Sequence, residues 1–264
     1  MKRFKSVAAL FVTASLLVAC SNEEKVEQSV KESEEQELLP IDAKMEAGKF
    51  VSYAIEQNKQ FILDTQLLAS LASENKLEEA QKLYPIVAAY AQRMKPLMLQ
   101  LNTKDEAMTS ALLEIEKELF EQTSVKNVVP SATALTDTLT SVQEELVKLS
   151  PDARMLLSNT NLMLSQTIES LSSTSLANAE VYFVKAQTEA IEQLVAAFMT
   201  KGDATAAAKV VEQAAALNEV VAYYEVGKED YVNYSFFTTT QKEELIKAVE
   251  ALQNAWTAFE NTVK

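Results

Sequence analysis

Apolar residues recur every three or four positions along most of the chain beyond residue 40. Two runs that show this spacing clearly are Ala80, Tyr84, Val87, Ala91, Met94, Met98 and Leu101, and Met108, Leu112, Ile115 and Leu119. Such spacing places apolar side chains on one face of an α-helix, and we find no convincing apolar and polar alternation of the kind that a half-buried strand shows. The pattern predicts eight helices, near residues 43–73, 77–101, 104–122, 130–149, 151–172, 176–200, 204–225 and 239–262.

Helix start signals fall between these apolar runs. Thr103 with Glu106, and Thr240 with Glu243, have the spacing of a capping box. Ser150 before Pro151 predicts an N-cap followed by proline at the first helical position. With only three glycines and five prolines in 264 residues, the pattern predicts an all-α bundle of antiparallel helices with short connections.

A weak internal repeat relates the two halves of the predicted bundle. Residues 67–82 resemble residues 194–209, since each segment reads as a helix, a tight polar turn and a second helix. A repeat of this kind predicts two tandem four-helix bundles, at 41–149 and 150–264. Chance similarity between alanine-rich helices is the alternative.

The first twenty residues follow a different pattern. A basic start is followed by an apolar run over 7–19 that ends in Leu17-Val18-Ala19-Cys20. The run is too short to span a bilayer as a permanent helix, and its order is typical of a processed export signal. We therefore expect 1–19 to be removed as a lipoprotein signal peptide and Cys20 to be acylated. A short membrane anchor with a buried thiol is the alternative.

The segment after Cys20 is acidic and has no aromatic residue. Residues 21–39 contain seven Glu against two Lys, a composition that buries too little apolar surface to fold alone. We interpret 20–40 as the lipidated cysteine and a charged tether, with a solvated helix as the alternative. The protein is then expected to be lipid-anchored at the extracytoplasmic face of the cell membrane, with its acyl chains in the lipid.

Charge and composition exclude several function classes. A formal net charge of −14 argues against nucleic acid as a partner, because its phosphates select basic surfaces. The chain contains no histidine, so triads of the Ser-His-Asp or Cys-His type are excluded. The isolated glycines form no phosphate-binding loop. We therefore expect the protein not to be an enzyme.

Several short motifs occur in a fixed order between about residues 51 and 259. They are Ala80-Gln81-Lys82-Leu83-Tyr84-Pro85 with Arg93-Met94-Lys95-Pro96, Ile115-Glu116-Lys117-Glu118-Leu119-Phe120, Lys201-Gly202-Asp203 with Ala207, and Tyr231-Val232-Asn233-Tyr234 with Thr240-Gln241. Together they resemble the imelysin-like family, in particular its EfeM/EfeO-type extracytoplasmic component of bacterial iron uptake. The resemblance implies a fold of paired four-helix bundles and a transition metal bound at a His-x-x-Glu site between helices. It also implies that a membrane iron permease and a haem-peroxidase-like protein are functional partners.

The chain departs from the family pattern at the metal-ligand positions. The family's two histidines fall on Leu113 and Asn178, two of its acidic positions fall on Gln92 and Lys95, and two acidic positions are kept as Glu116 and Glu180. A transition-metal site needs imidazole, thiolate or several converging carboxylates. The resemblance therefore implies a degenerate site that binds iron or another divalent metal weakly or not at all. Any weak binding would use the carboxylates of Glu116, Glu180 and Glu189.

Helix geometry gives an independent expectation for Glu116. On the 104–122 helix, Leu113, Glu116 and Phe120 share a face beside the main apolar stripe, so we expect them inside the bundle. A buried carboxylate needs a partner, and we expect Lys95 or Arg93 to supply it. The alternative is that Glu116 is solvated together with Glu114 and Glu118.

Two function hypotheses remain from the sequence. The first is an iron-uptake-type lipoprotein that still handles metal weakly through carboxylates. The second is a metal-independent lipoprotein that acts in binding or scaffolding at the cell surface. A third hypothesis, an imelysin-like peptidase, lacks the residues that peptide hydrolysis would need.

Replacement of Cys20 by Ser tests the anchor. We expect the variant to lose acylation and to leave the membrane fraction, because a hydroxyl does not take the place of the thiol that is modified. Mass spectrometry of the N-terminal peptide and detergent-phase partitioning measure both effects. An unmodified Cys20 in the wild-type protein would contradict the prediction.

Overall fold

The computed structural model describes residues 42–227 and 230–264 and is all-α over these ranges, which confirms the predicted fold class. Its eight α-helices are α1 Lys44–Ser73, α2 Leu77–Met98, α3 Thr103–Glu116, α4 Val128–Lys148, α5 Ala153–Ser170, α6 Glu180–Phe198, α7 Ala204–Ala222 and α8 Thr239–Glu260. The predicted signal peptide, Cys20 and the tether over 20–40 lie outside the described residues. None of the described helices combines the length and apolar character needed to cross a membrane.

The helix starts differ from the predicted capping residues. Asp152, not Ser150, caps α5, and its carboxylate accepts a hydrogen bond from the Met155 backbone N–H at 2.9 Å. Helix α8 starts two residues earlier than its predicted capping box, with Thr238 and Gln241 forming the reciprocal pair. No side chain caps α3, so the predicted box at Thr103 is also wrong.

The helices pack through one continuous apolar core. Helix α1 contacts α2 and α4, α3 contacts α4, and on the other side α8 contacts α5 and α7, while α2 lies against α5 and α6 and joins the two sets. The largest fully buried side chains include Trp256, Tyr234, Phe50, Phe61, Phe198 and Phe259. Because the core runs through both sets, the division into bundles at 41–149 and 150–264 stays a prediction.

The connections collect at two ends of the helices. At one end, the Lys201 ammonium donates to the Asp42 carbonyl at 2.9 Å, and the Lys264 backbone N–H donates to the Lys201 carbonyl at 3.2 Å. At the other end, the connection over 171–179 meets the connection over 223–238, where the Ser235 N–H donates to the Asn178 side-chain oxygen at 2.8 Å. The candidate site lies towards this second end.

Replacement of Gly202 by Ala tests the packing at the first end. A Cβ there would lie 2.7 Å from Phe259 Cε2 and 2.9 Å from Thr262 Oγ1, so we expect a loss of about 1–3 kcal/mol in the free energy of unfolding. Gly48→Ala is the matched control, because its Cβ meets nothing within 4 Å and alanine favours a helix interior by about 0.5–1 kcal/mol. Chemical denaturation measures both. Equal stability of the two variants would contradict the close approach at Gly202.

Candidate functional site

Glu116 lies at the end of α3, where the helix passes into a π-helical turn over Lys117–Glu121. Its side chain is buried, with 8% of the residue exposed, and Oε1 accepts a hydrogen bond from the Ala177 backbone N–H at 2.9 Å. Ala177 belongs to the connection between α5 and α6. Turns of this π type are frequent at functional sites, which makes the end of α3 a candidate site.

Glu180 is the first residue of α6 and is buried to 5% exposure. Its Oε1 accepts a hydrogen bond from the Ser175 backbone N–H. Its Oε2 is buried and has no hydrogen-bond partner within the described part of the chain. The carboxylates of Glu116 and Glu180 therefore accept hydrogen bonds from two backbone N–H groups of the same connection, which spans residues 171–179.

The environment of Glu116 makes its carboxyl group harder to ionise than a solvated carboxyl group. Burial raises the pKa of Glu116, the Ala177 N–H lowers it, and the negative charge of Glu180 raises it again, with a net upward result. The charge of Glu116 in turn adds to the effect of burial in raising the pKa of Tyr84. The Tyr84 hydroxyl donates to the Leu112 carbonyl at 3.1 Å.

Lys95 and Arg93 do not pair with Glu116, so that prediction was wrong. Lys95 Nζ lies 2.7 Å from Asp105 Oδ2, and Arg93 Nε lies 2.7 Å from Glu189 Oε2. Lys95 therefore pairs with a carboxylate on α3 and Arg93 with a carboxylate on α6. The hydrogen-bond donor to Glu116 is instead the backbone N–H of Ala177.

The solvated alternative for Glu116 was also wrong. Glu116 is buried, and so is Glu118, whose carboxylate accepts hydrogen bonds from the Asn127 backbone N–H at 3.3 Å and from Asn127 Nδ2 at 3.1 Å. Backbone and amide donors therefore serve both of these carboxylates.

Leu113 is 57% exposed, so the expectation that it lies inside the bundle was wrong. Leu113 lies in the regular part of α3, whose buried residues include Met108, Leu112 and Ile115. The π-helical turn over Lys117–Glu121 follows Leu113 and contains more residues per turn than an α-helix, so it changes the direction of Phe120 and not that of Leu113. Phe120 is thereby rotated away from the face of Leu113. It is half-buried and packs edge-on against Tyr84, with ring centroids 5.7 Å apart.

The two amide residues at positions where the family resemblance implies metal ligands, Gln92 and Asn178, make structural hydrogen bonds. Gln92 Oε1 accepts from Gln187 Nε2 at 2.8 Å, and Gln187 Oε1 accepts from Thr167 Oγ1 at 2.6 Å. Asn178 has a positive φ of 54° and accepts from the Ser235 N–H. Gln187 and Thr167 were missed from the sequence, although a polar residue at a core-facing helical position is a signal for both.

Two cavities meet at this site and share Gln92, Lys95 and Phe183 in their linings. The first, of about 120 Å³, is also lined by Asp105, Leu113 and Glu116. The second, of about 240 Å³, is also lined by Thr167, Glu180 and Gln187. The structure thus brings Gln92, Lys95, Glu116 and Glu180 together, with Leu113 among the lining residues of the first cavity. Asn178 lines a separate groove beside Tyr182.

This arrangement does not fit a tightly held transition metal. Over residues 42–227 and 230–264, no three or more His, Cys, Asp or Glu side chains converge in a way that could hold a metal ion. Glu189 Oε2 is paired with Arg93 Nε, and Glu189 Oε1 lies 3.8 Å from Lys185 Nζ. The site instead offers amides, one ammonium group and the three carboxylates of Asp105, Glu116 and Glu180, which suit hydrogen bonding to a small polar molecule.

No protein-family model matches the chain, and no curated protein matches it significantly. The resemblance to imelysin-like proteins therefore rests on the sequence motifs alone and stays a proposal.

Two substitutions at Glu116 separate its charge from its hydrogen bond. Glu116→Ala removes the acceptor for the buried Ala177 N–H, and we expect a loss of about 1–3 kcal/mol in the free energy of unfolding. Glu116→Gln keeps an oxygen acceptor and removes the charge, so we expect it to be at least as stable as wild type at pH 7. Urea denaturation measures both.

The pH dependence follows from the raised pKa. A carboxyl group whose pKa is higher in the folded state than in the unfolded state makes stability rise as the pH falls through the folded pKa. The stability advantage of Glu116→Gln over wild type should therefore shrink as the pH is lowered from 7 towards the ordinary value of 4.5. If the Gln variant at pH 7 is as unstable as the Ala variant, Glu116 is stabilised by a charge pair and the interpretation is wrong.

Proposed function

We propose that the protein is a membrane-anchored extracytoplasmic binding lipoprotein that resembles the EfeM/EfeO-type component of iron uptake, with a degenerate site that does not depend on metal. The observation that carries the proposal is the ion pair between Lys95 and Asp105 in the wall of the cavity that Glu116 also lines. In this proposal Cys20 supplies the lipid anchor, and the protein is not an enzyme.

Charge around the first cavity supports this proposal. A metal cation in that cavity would meet the Lys95 ammonium, whose like charge is unfavourable to it. Lys95 also takes Asp105 Oδ2 as its partner, which leaves that oxygen less able to act as a metal ligand. One oxygen of Glu116 is already engaged by a backbone N–H. Without any histidine in the sequence, the remaining ligands are too few for a borderline transition metal.

Weak metal binding through Glu116 and Glu180 is the second candidate function. It is favoured by the unpartnered Oε2 of Glu180 and by the closeness of the two carboxylates, since the charge of Glu180 raises the pKa of Glu116. In that case the protein would still handle iron for uptake. An iron permease and a haem-peroxidase-like protein would then be its partners, as the family resemblance implies.

Calorimetric titration of the purified protein with Fe²⁺, Zn²⁺, Mn²⁺ and Cu²⁺ tests the proposal. We expect no binding at micromolar or tighter affinity for any of the four ions, and no difference between wild type and Glu116→Ala. Micromolar or tighter binding that Glu116→Ala abolishes would overturn the proposal and support the second candidate. Glu114→Ala, on the exposed side of α3, is the matched control.

A further inference from the structure

The cavity of about 240 Å³ between α2, α5 and α6 has the features of a small-molecule site. We call it the α5/α6 cavity, and its polar and aromatic lining includes Gln92, Lys95, Thr167, Glu180, Phe183 and Gln187. Its volume is below the range of roughly 300–1,000 Å³ that is typical of sites for drug-sized ligands. A ligand that fills it is therefore a small metabolite.

One wall of the cavity carries a carboxylate that lacks a donor. Glu180 is 5% exposed, and its Oε2 has no hydrogen-bond partner within the described residues. Buried polar atoms are normally hydrogen-bonded, and each exception requires an explanation. A ligand with a positively charged N–H donor provides one, because it supplies both the missing hydrogen bond and the opposite charge.

Another part of the lining carries donors. The Lys95 ammonium has three N–H groups, and Asp105 accepts one of them. Gln92 uses its oxygen to accept from Gln187, which is itself fixed by Thr167. This chain of hydrogen bonds sets the amide orientation of Gln92 and leaves its NH₂ group as a donor. Lys95 and Gln92 together suit a carboxylate.

We propose that the α5/α6 cavity binds a small zwitterion, an amino acid whose ammonium group pairs with Glu180 and whose carboxylate pairs with Lys95 and Gln92. The hydrocarbon part of the ligand lies against Phe183, Met163 and Leu171, which also line the cavity. Oε2 of Glu180 is closed to solvent, so binding includes a small shift of this side chain towards the ligand. The inference rests on the proposed function, since it requires a site that no metal occupies.

Four probes of similar size test the requirement for both charges. They are 2-aminobutyrate and 4-aminobutyrate, which are zwitterions with different charge separations, butylamine, which has only the cation, and butyrate, which has only the anion. Calorimetry and the thermal midpoint of the purified protein measure binding. We expect at least one zwitterion to bind at least 10-fold more tightly than butylamine and butyrate.

Three variants locate the binding. Glu180→Gln keeps an oxygen for the Ser175 N–H and removes the charge, and we expect at least a 10-fold weaker zwitterion affinity. Ser170→Phe introduces a large side chain at an exposed position in the lining, and we expect binding to be lost. Glu169→Gln is the matched control, because Glu169 is exposed on α5 and does not line the cavity; its affinity should equal that of wild type.

The outcomes separate this inference from the proposed function. If butylamine binds as tightly as the zwitterions, or if none of the four probes binds a folded protein, the zwitterion site is refuted while the metal-free function stands. If zwitterion binding is unchanged in Glu180→Gln and Ser170→Phe, the assigned cavity is wrong. Tight binding of a metal ion in the separate titration refutes the proposed function itself.

Discussion

Two buried carboxylates that accept hydrogen bonds from backbone N–H groups determine the architecture of the site. Glu116 at the end of α3 binds the Ala177 N–H, and Glu180 at the start of α6 binds the Ser175 N–H. The desolvation cost of a buried carboxylate is partly offset by such donors, since hydrogen bonds to a charged group are stronger than neutral ones. The connection over 171–179 is thereby attached to two helices. It also holds Tyr234, whose hydroxyl donates to the Leu171 carbonyl at 2.7 Å.

The ion pair between Lys95 and Asp105 completes this arrangement. Both side chains are largely buried, and Lys95 lines both cavities. Lys95 places a positive charge where the family resemblance implies an acidic residue. This charge changes which ligands bind favourably. The Lys95 ammonium competes with a metal ion for Asp105, whereas a molecule with a negative group can use the remaining donors of Lys95. The proposed metal-independent function and the proposed zwitterion site both depend on the positive charge of Lys95.

The positions of the eight helices were predictable because apolar periodicity and the scarcity of glycine and proline act locally. The hydrogen-bond partner of Glu116 was not predictable in this way. This partner is the backbone N–H of Ala177, 61 residues later, and a backbone group has no signature in the sequence. Leu113 was expected in the interior because it was grouped with Phe120 on one helical face, but it is exposed. The π-helical turn after Glu116 separates Phe120 from that face. The burial of Glu116 was correctly expected, because a carboxylate beside apolar positions on a core-facing helix is a local pattern.

The most direct test of the account is a crystal structure of the protein soaked with Zn²⁺ or Fe²⁺, with anomalous scattering used to locate bound metal. The account predicts no anomalous peak between Glu116 and Glu180, with the Ala177 N–H still bound to Glu116 and Lys95 still paired with Asp105. A well-occupied ion coordinated by both carboxylates, with the Ala177 hydrogen bond broken, would contradict it.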